Sequence, residues 1–204
     1  MADSVIETLF ATRLYRAELG RRANAELERT CRLIAAEDRA GQRWAKAHGY
    51  RGYTSYASLD DLPRRAPCFA ALVARIDRHV RDFARALDFD LGRRRLACDS
   101  LWINVTGRGG YHTAHIHPHS AISGTYYVAV PRGASAIRFE DPRLAQMMAA
   151  PPKRAAARRG NSNVVTIVPR PGTLLLWESF LRHEVPESRA AGTRISISFN
   201  YAWK

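Results

Sequence analysis

The second half of the chain carries six short runs of strand-forming residues, and this ladder constrains the fold more than any other feature. Gly, Pro and polar turns separate the runs, which is the pattern of a β-sandwich or barrel. The runs are Leu101–Val105, Gly124–Val130, Ala136–Phe139, Val164–Val168, Thr173–Trp177 and Arg194–Tyr201. We therefore expect a mainly β core over residues 100–204, with a long insertion over Asp141–Asn161 that begins with a short helix at Leu144–Met148.

The first half, residues 1–99, is expected to be helical and loop-like. Apolar residues from Phe69 to Leu87 recur every three or four positions, after Pro67 and before Gly92, which predicts an amphipathic helix. A second helix is predicted over Arg22–Arg39. An early strand is predicted within Val5–Tyr15, and Gly41–Pro67 is predicted to be a long loop with a short strand at most. The two helices would buttress a β-barrel within a single domain over residues 1–204.

Charge and cysteine content narrow the function classes. A formal net charge of +13 favours anionic partners. The basic clusters at Arg93–Arg95 and Lys153–Arg159 have no interleaved aromatic residues, so nucleic acid is not the expected partner. Three widely spaced cysteines favour neither a disulfide framework nor a thiolate zinc site. No window reaches the length of a membrane-spanning helix, and Met1–Ser4 contains an acid, so no membrane partner and a cytoplasmic location are expected, while the oligomeric state is left open.

Histidines at alternate positions point to a metal site. His115 and His117 are two residues apart, and in a strand such side chains share a face. His183 in a later strand-like run can supply a third imidazole, and neutral imidazole binds iron, zinc, copper and nickel. Three protein ligands leave coordination positions open, as catalysis requires. His112 and His119 are expected to support the ligands or face substrate at most.

A cation with a neighbouring hydroxyl follows the last histidine. Arg194 and Ser196 share one face of a predicted strand with Ser198 and Asn200. The opposite face is apolar. A guanidinium group matches a carboxylate with two parallel hydrogen bonds. The pattern predicts an acid bound beside the metal.

Five linked segments resemble the iron(II)- and 2-oxoglutarate-dependent oxygenases, most closely a bacterial and phage branch with an H-x-H-P signature. They are Gly110–Pro118, Ser123–Tyr127, Pro171–Trp177, His183 and Arg194–Asn200. The resemblance covers residues 100–203 closely and the first half more loosely. It implies a double-stranded β-helix, a jelly-roll, cupin-like barrel, with Fe(II) as cofactor and 2-oxoglutarate as co-substrate.

The same resemblance assigns roles to individual residues. His115 would be the first ligand and His183 the last, and Arg194 with Ser196 would hold the distal carboxylate of 2-oxoglutarate. His117 stands where the family usually has a carboxylate. Either it binds the metal and completes a three-histidine site, which we expect, or it stays aside and a water or a substrate group takes that position. Candidates for lining the cavity are Asn104, Tyr111, Ser123, Tyr126 and Tyr127.

The resemblance implies an oxygenase, in the first instance a hydroxylase, that couples decarboxylation of 2-oxoglutarate to oxidation of a C–H bond. Its substrate, a small molecule or a peptide, is not identified by the sequence. Two alternatives stay open: a cupin-type three-histidine dioxygenase that does not use 2-oxoglutarate, and a non-catalytic barrel that binds an anion or a partner. Nucleic-acid modification by the same iron chemistry is a third.

Overall fold

A computed structural model describes residues 4–143 and 148–204. Its helices are α1 (Asn24–Glu37), α2 (Arg39–Ala47), α3 (Leu62–Arg65) and α4 (Pro67–Ala86), with a 3-10 turn at Arg159–Asn161. Its strands are β1 (Leu14–Glu18), β2 (Tyr53–Thr54), β3 (Leu96–Thr106), β4 (His112–His115), β5 (Ile122–Ala129), β6 (Ile137–Glu140), β7 (Val164–Ile167), β8 (Thr173–Glu178), β9 (His183–Val185) and β10 (Arg194–Trp203). The predicted strand ladder and the predicted helix after Pro67 are confirmed, with ends shifted by a few residues.

The strands form two antiparallel sheets. One has the order β1-β8-β5-β10-β3-β2 and the other β4-β9-β6-β7. The crossovers between the sheets give the predicted jelly-roll arrangement. Alternation along β10 separates the two faces of the larger sheet: Ile195, Ile197 and Phe199 belong to one apolar cluster, whereas Arg194 and Ser196 line a cavity on the other side.

Helices α1 and α4 cover the outer face of the larger sheet. Leu72, Ile76 and Val80 of α4 and Leu27 of α1 are at most 3% exposed and join the same cluster as the sheet residues. Each such side chain contributes roughly 1.5–3 kcal/mol by leaving water. The two helices therefore act as the predicted buttress. Among the described residues, no helix combines the length and apolar character needed to span a bilayer.

A second, smaller apolar cluster fills the space between the two sheets. Its members come from the inward-facing positions of both: Tyr127, Ile137, Phe139, Ile167, Leu175, Trp177, Leu181 and Val185. The cluster occupies one end of the barrel interior and leaves polar side chains to line the rest. The metal-site histidine His183 packs against Phe139 and Trp177 at its edge.

Two local predictions were wrong, and a third cannot be compared with the structure. Gly41–Pro67 is not a long loop, because α2 extends to Ala47 and α3 begins at Leu62. The early strand lies at Leu14–Glu18, while residues 4–13 have no regular structure and are exposed. The predicted short helix at Leu144–Met148 falls almost wholly outside the described residues.

Helix α2 was not predicted because few of its side chains are buried. Only Gly41 and Ala45 of this helix are buried, so it has no stripe of large apolar residues. Its start is fixed instead by Asp38, whose carboxylate accepts hydrogen bonds from the Gly41 backbone N–H at 3.0 Å and the Tyr53 hydroxyl at 2.9 Å. These bonds outweigh burial and hold the pKa of Asp38 below its usual value.

Candidate metal centre

Three imidazoles meet at one point between the sheets. One nitrogen of each of His115, His117 and His183 lies within 4.8 Å of the others. The Nε2 atoms of His117 and His183 are 3.3 Å apart. Two imidazole nitrogens on one ion, each about 2.1 Å from it, are roughly 3–3.5 Å apart. The three side chains therefore fit a single transition-metal ion.

Backbone carbonyls orient two of the rings. Nδ1 of His115 lies 2.6 Å from the Thr113 carbonyl oxygen, and Nδ1 of His183 lies 2.9 Å from that of Leu181. A carbonyl only accepts, so in each ring Nδ1 carries the proton and Nε2 keeps its lone pair. This outer contact is the one that metal-binding histidines usually have.

The strands place these rings differently from the sequence prediction. His115 of β4 is paired directly with His183 of β9. His117 lies beyond the end of β4, where its backbone N–H donates to the Ser179 carbonyl at 3.0 Å. The register of β4 shifts between His112 and His115, so both line the cavity despite their odd spacing.

His117 and His183 are held in the neutral, metal-binding form. Burial, together with nearby His115, lowers the pKa of His183 to about 3 and that of His117 to about 4. No acidic side chain among the described residues lines the cavity. The donor set is thus three neutral nitrogens, which suits iron, zinc, copper or nickel rather than magnesium or calcium.

Arg194 brings a buried positive charge into the same cavity. It is 4% exposed, and its guanidinium group lies over the Tyr127 ring, 5.1 Å from the ring centre. Its Nε has no hydrogen-bond partner, and neither has the Tyr127 hydroxyl or the Trp177 indole nitrogen. Among the described residues, these three are the buried side-chain polar atoms left without a partner. Arg194 and Trp177 line the cavity and Tyr127 lies against Arg194; each can donate, so this region suits an acceptor of negative charge.

Small polar side chains complete the cavity wall. Ser196, Ser198 and Asn104 line it, and Asn104 Nδ2 donates to the Ser198 hydroxyl at 3.2 Å. The cavity has a volume of about 70 Å³. It is bounded on the His117 side by Trp102, whose ring centre is 5.8 Å from that of the imidazole.

Other residues predicted to line the cavity lie elsewhere. Tyr126 points to the helix layer, where its hydroxyl lies beside Asn24, because its position on β5 is of opposite parity to Tyr127. Tyr111 is 40% exposed and lies in an adjoining open groove. Ser123 faces inward, but its hydroxyl is hydrogen-bonded to the Ser179 hydroxyl at 2.7 Å and to Oδ1 of Asn200 at 2.8 Å, and it is not part of the cavity wall.

Sequence reasoning missed Tyr50. Its hydroxyl is 2.8 Å from Nε2 of His112, and the two rings meet edge to face. Burial, then Arg194 and His115, lowers the pKa of His112 to about 3, while burial raises the pKa of Tyr50. The signal available in sequence was only an aromatic residue between two glycines, Gly49 and Gly52, which gives no indication of its partner.

Fold and site together define a class: a double-stranded β-helix protein with a candidate three-histidine metal centre and an anion-binding arginine. Residues 100–200 match the model of the family described as "Putative 2OG-Fe(II) oxygenase". The barrel of this chain therefore matches the 2-oxoglutarate- and Fe(II)-dependent oxygenases, and together with the three histidines this match indicates an enzyme that uses Fe(II) and 2-oxoglutarate. The match favours this reading over a cupin-type dioxygenase.

Solved structures agree on the fold. A prolyl-4-hydroxylase from Pseudomonas putida is 14% identical, with a TM-score of 0.60 over 95% of this chain and 94% of that one. HygX from Streptomyces hygroscopicus, with nickel and 2-oxoglutarate bound, is 14% identical, with a TM-score of 0.59 over 94% and 82%. The chain also spans 47% of the length of an oxidoreductase of the 2OG-Fe(II) oxygenase family from Burkholderia pseudomallei, with 54% of its own residues and 16% identity, but the TM-score of 0.42 gives no support for the fold. No curated protein matches the sequence.

Proposed function

We propose that the protein is an Fe(II)- and 2-oxoglutarate-dependent hydroxylase in which His115, His117 and His183 hold the iron and Arg194 with Ser196 holds the distal carboxylate of 2-oxoglutarate. The observation that carries this is a buried guanidinium group without a counter-ion in the cavity that contains three converging imidazoles. A buried cation is costly unless an anion meets it, so the cavity requires an acid for charge balance.

Each of these residues has a physical task. His115 and His183 each donate a hydrogen bond from Nδ1 to a backbone carbonyl, of Thr113 and Leu181 respectively. These bonds leave the Nε2 lone pair of each ring free to bind the ion. Arg194 and the Tyr127 hydroxyl offer donors at the far end, which orients the co-substrate along the cavity. When bound, Fe(II) and 2-oxoglutarate supply the oxidation of a substrate C–H bond coupled to decarboxylation of the co-substrate. Trp102 and Trp177 limit the access of water to that chemistry.

We further infer that the whole chain acts as one domain. The apolar cluster of α1 and α4 is continuous with that of the larger sheet, so the helical half has no core separate from the barrel. Asn24 of α1 donates to the Val128 carbonyl of β5 at 2.7 Å, a buried bond across the same boundary.

The test is oxygen uptake and succinate release by protein purified and loaded with Fe(II) under anaerobic conditions. We expect one iron per chain and succinate formation that depends on 2-oxoglutarate, with slow uncoupled turnover when no primary substrate is present. His183→Ala should lose the iron, whereas the control His119→Ala, outside the converging set, should keep it. Equal oxygen uptake without 2-oxoglutarate would favour the cupin-type reaction, and absence of iron binding would favour a non-catalytic barrel.

A further inference from the structure

We propose that the centre takes a second anionic group beside 2-oxoglutarate, at the metal end of the cavity near His117 and Trp177. The inference rests on the proposed function. It names the chemical class of the additional ligand: a small monovalent anion, either free in solution or the carboxylate of the primary substrate.

Charge balance is the first argument. Fe(II) brings two positive charges and Arg194 one, whereas 2-oxoglutarate brings two negative charges, and an imidazole that binds a metal through a nitrogen lone pair brings none. One positive charge is left over beside side chains that are almost fully buried, since Arg194 is 4% and His183 5% exposed. Uncompensated charge in such surroundings strongly attracts an anion, because the local dielectric constant is low.

Nearby acids on the strands of the smaller sheet do not supply the missing charge. Glu184, between His183 and Val185 on β9, faces outward and pairs with Arg138 at 3.0 Å. Glu140 of β6 pairs with Arg182 at 2.8 Å. Neither side chain belongs to the cavity wall. No described residue of the wall therefore neutralises the surplus positive charge, and a bound anion has to do so.

The placement of the unpartnered donors is the second argument. Trp177 is opposite Ser123 on β5, whereas Tyr127, which lies under Arg194, is four residues further along that strand. These backbone positions are about 13 Å apart at the rise of a β-strand. Trp177 packs against His183, with ring centres 4.7 Å apart, so its indole N–H belongs to the metal end. Trp177 is 2% exposed and its indole N–H has no hydrogen-bond partner. With Arg194 bound to the distal carboxylate of 2-oxoglutarate, this N–H remains as a donor for the second anion.

The test uses Co(II)-loaded protein saturated with 2-oxoglutarate and titrated with azide, for a free inorganic anion, or with formate, for a substrate carboxylate. The visible absorption of the cobalt centre reports binding without any turnover. We expect at least one of the two to bind to the wild-type protein. His117→Asp adds a negative charge at the metal end of the cavity and should weaken the binding of this anion about tenfold or more. The matched control His117→Gln adds no charge and should change it far less.

Trp177→Phe removes only the indole N–H and should weaken the same anion about tenfold. Binding of azide alone would identify a free anion as the ligand, and binding of formate alone a carboxylate. The proposal is overturned if neither binds, or if His117→Asp and His117→Gln weaken binding equally. Failure to bind Co(II) or 2-oxoglutarate at all would overturn the proposed function as well, which separates the two results.

Discussion

Replacing Arg194 by Met should weaken the binding of 2-oxoglutarate and at the same time stabilise the ligand-free protein. Methionine has a similar length but no charge, so the cavity wall keeps most of its volume. In the ligand-free protein the guanidinium group is 4% exposed and its Nε has no partner. In the proposed complex it meets a carboxylate. The substitution therefore has opposite effects in the two states.

The magnitudes follow from the burial of the cation. Removing one partner of a buried, hydrogen-bonded ion pair costs about 3–5 kcal/mol, which raises the Kd for 2-oxoglutarate by roughly two to four orders of magnitude. Burying an uncompensated charge costs several kcal/mol, and the Tyr127 ring offsets about 2 kcal/mol of that cost. We expect the free energy of unfolding of the ligand-free variant to rise by about 1 kcal/mol or more.

Calorimetric titration of the Mn(II)-loaded protein under anaerobic conditions would measure the first effect, and urea unfolding of the metal-free protein the second. Arg182→Met is the matched control, because Arg182 is half exposed and pairs with Glu140 on the outer surface. It should change neither quantity by more than about 0.5 kcal/mol. Unchanged affinity for 2-oxoglutarate in Arg194→Met would refute the assignment of the anchor.

Three further outcomes are expected. Tyr50→Phe should lower the free energy of unfolding by about 1–2 kcal/mol in urea titrations, because it leaves His112 Nε2 buried without its hydroxyl partner, while metal stoichiometry is retained. In the metal-free protein the depressed pKa values of His112 and His183 leave stability unaffected above pH 6.5. Below pH 6.5 these two histidines bind protons in the unfolded chain but stay neutral in the folded protein, so protonation favours unfolding. Urea midpoints should therefore fall steadily from pH 6.5 towards pH 4. A flat profile would show that the two rings are not held neutral by burial. Asp38→Ala should cost about 1–2 kcal/mol by thermal unfolding, since it removes the cap of α2; Glu37→Ala at an exposed neighbouring position is the control.

The barrel was predictable because each strand has one face against the helices and the other towards the cavity, and the two faces need different side chains. Ile195, Ile197 and Phe199 face the helices while Arg194 and Ser196 face the cavity, and this alternation is visible in the sequence. The long helix α4 was predictable for the same reason, since its apolar stripe recurs at the helical period. Helix α2 lacks such a stripe and is fixed by contacts to Asp38 from residues that follow it in the chain.

The candidate site was predictable only in part. Spacing alone brings His115 and His117 near each other, but His117 lies past the strand end, so its position depends on the backbone bond to Ser179. Tyr126 and Tyr127 were both predicted to line the cavity, although neighbouring residues of a strand point to opposite faces; the structure places Tyr127 in the inner cluster and Tyr126 in the helix layer. The local shift of register that brings His112 inward leaves no mark in the composition of the strand.

The contribution of the first half of the chain extends beyond covering the sheet. Residues 100–200, which match the family model, do not form a complete unit: the face of the sheet that carries Ile197 and Phe199 is buried by α1 and α4. Strand β2 adds an edge to β3 at Asn104 and Val105, and Tyr50 just before it holds His112 at the cavity. We therefore expect a barrel cut at residue 100 to expose that apolar face to water, to lose the tyrosine contact and to fail to fold to a site of the same shape.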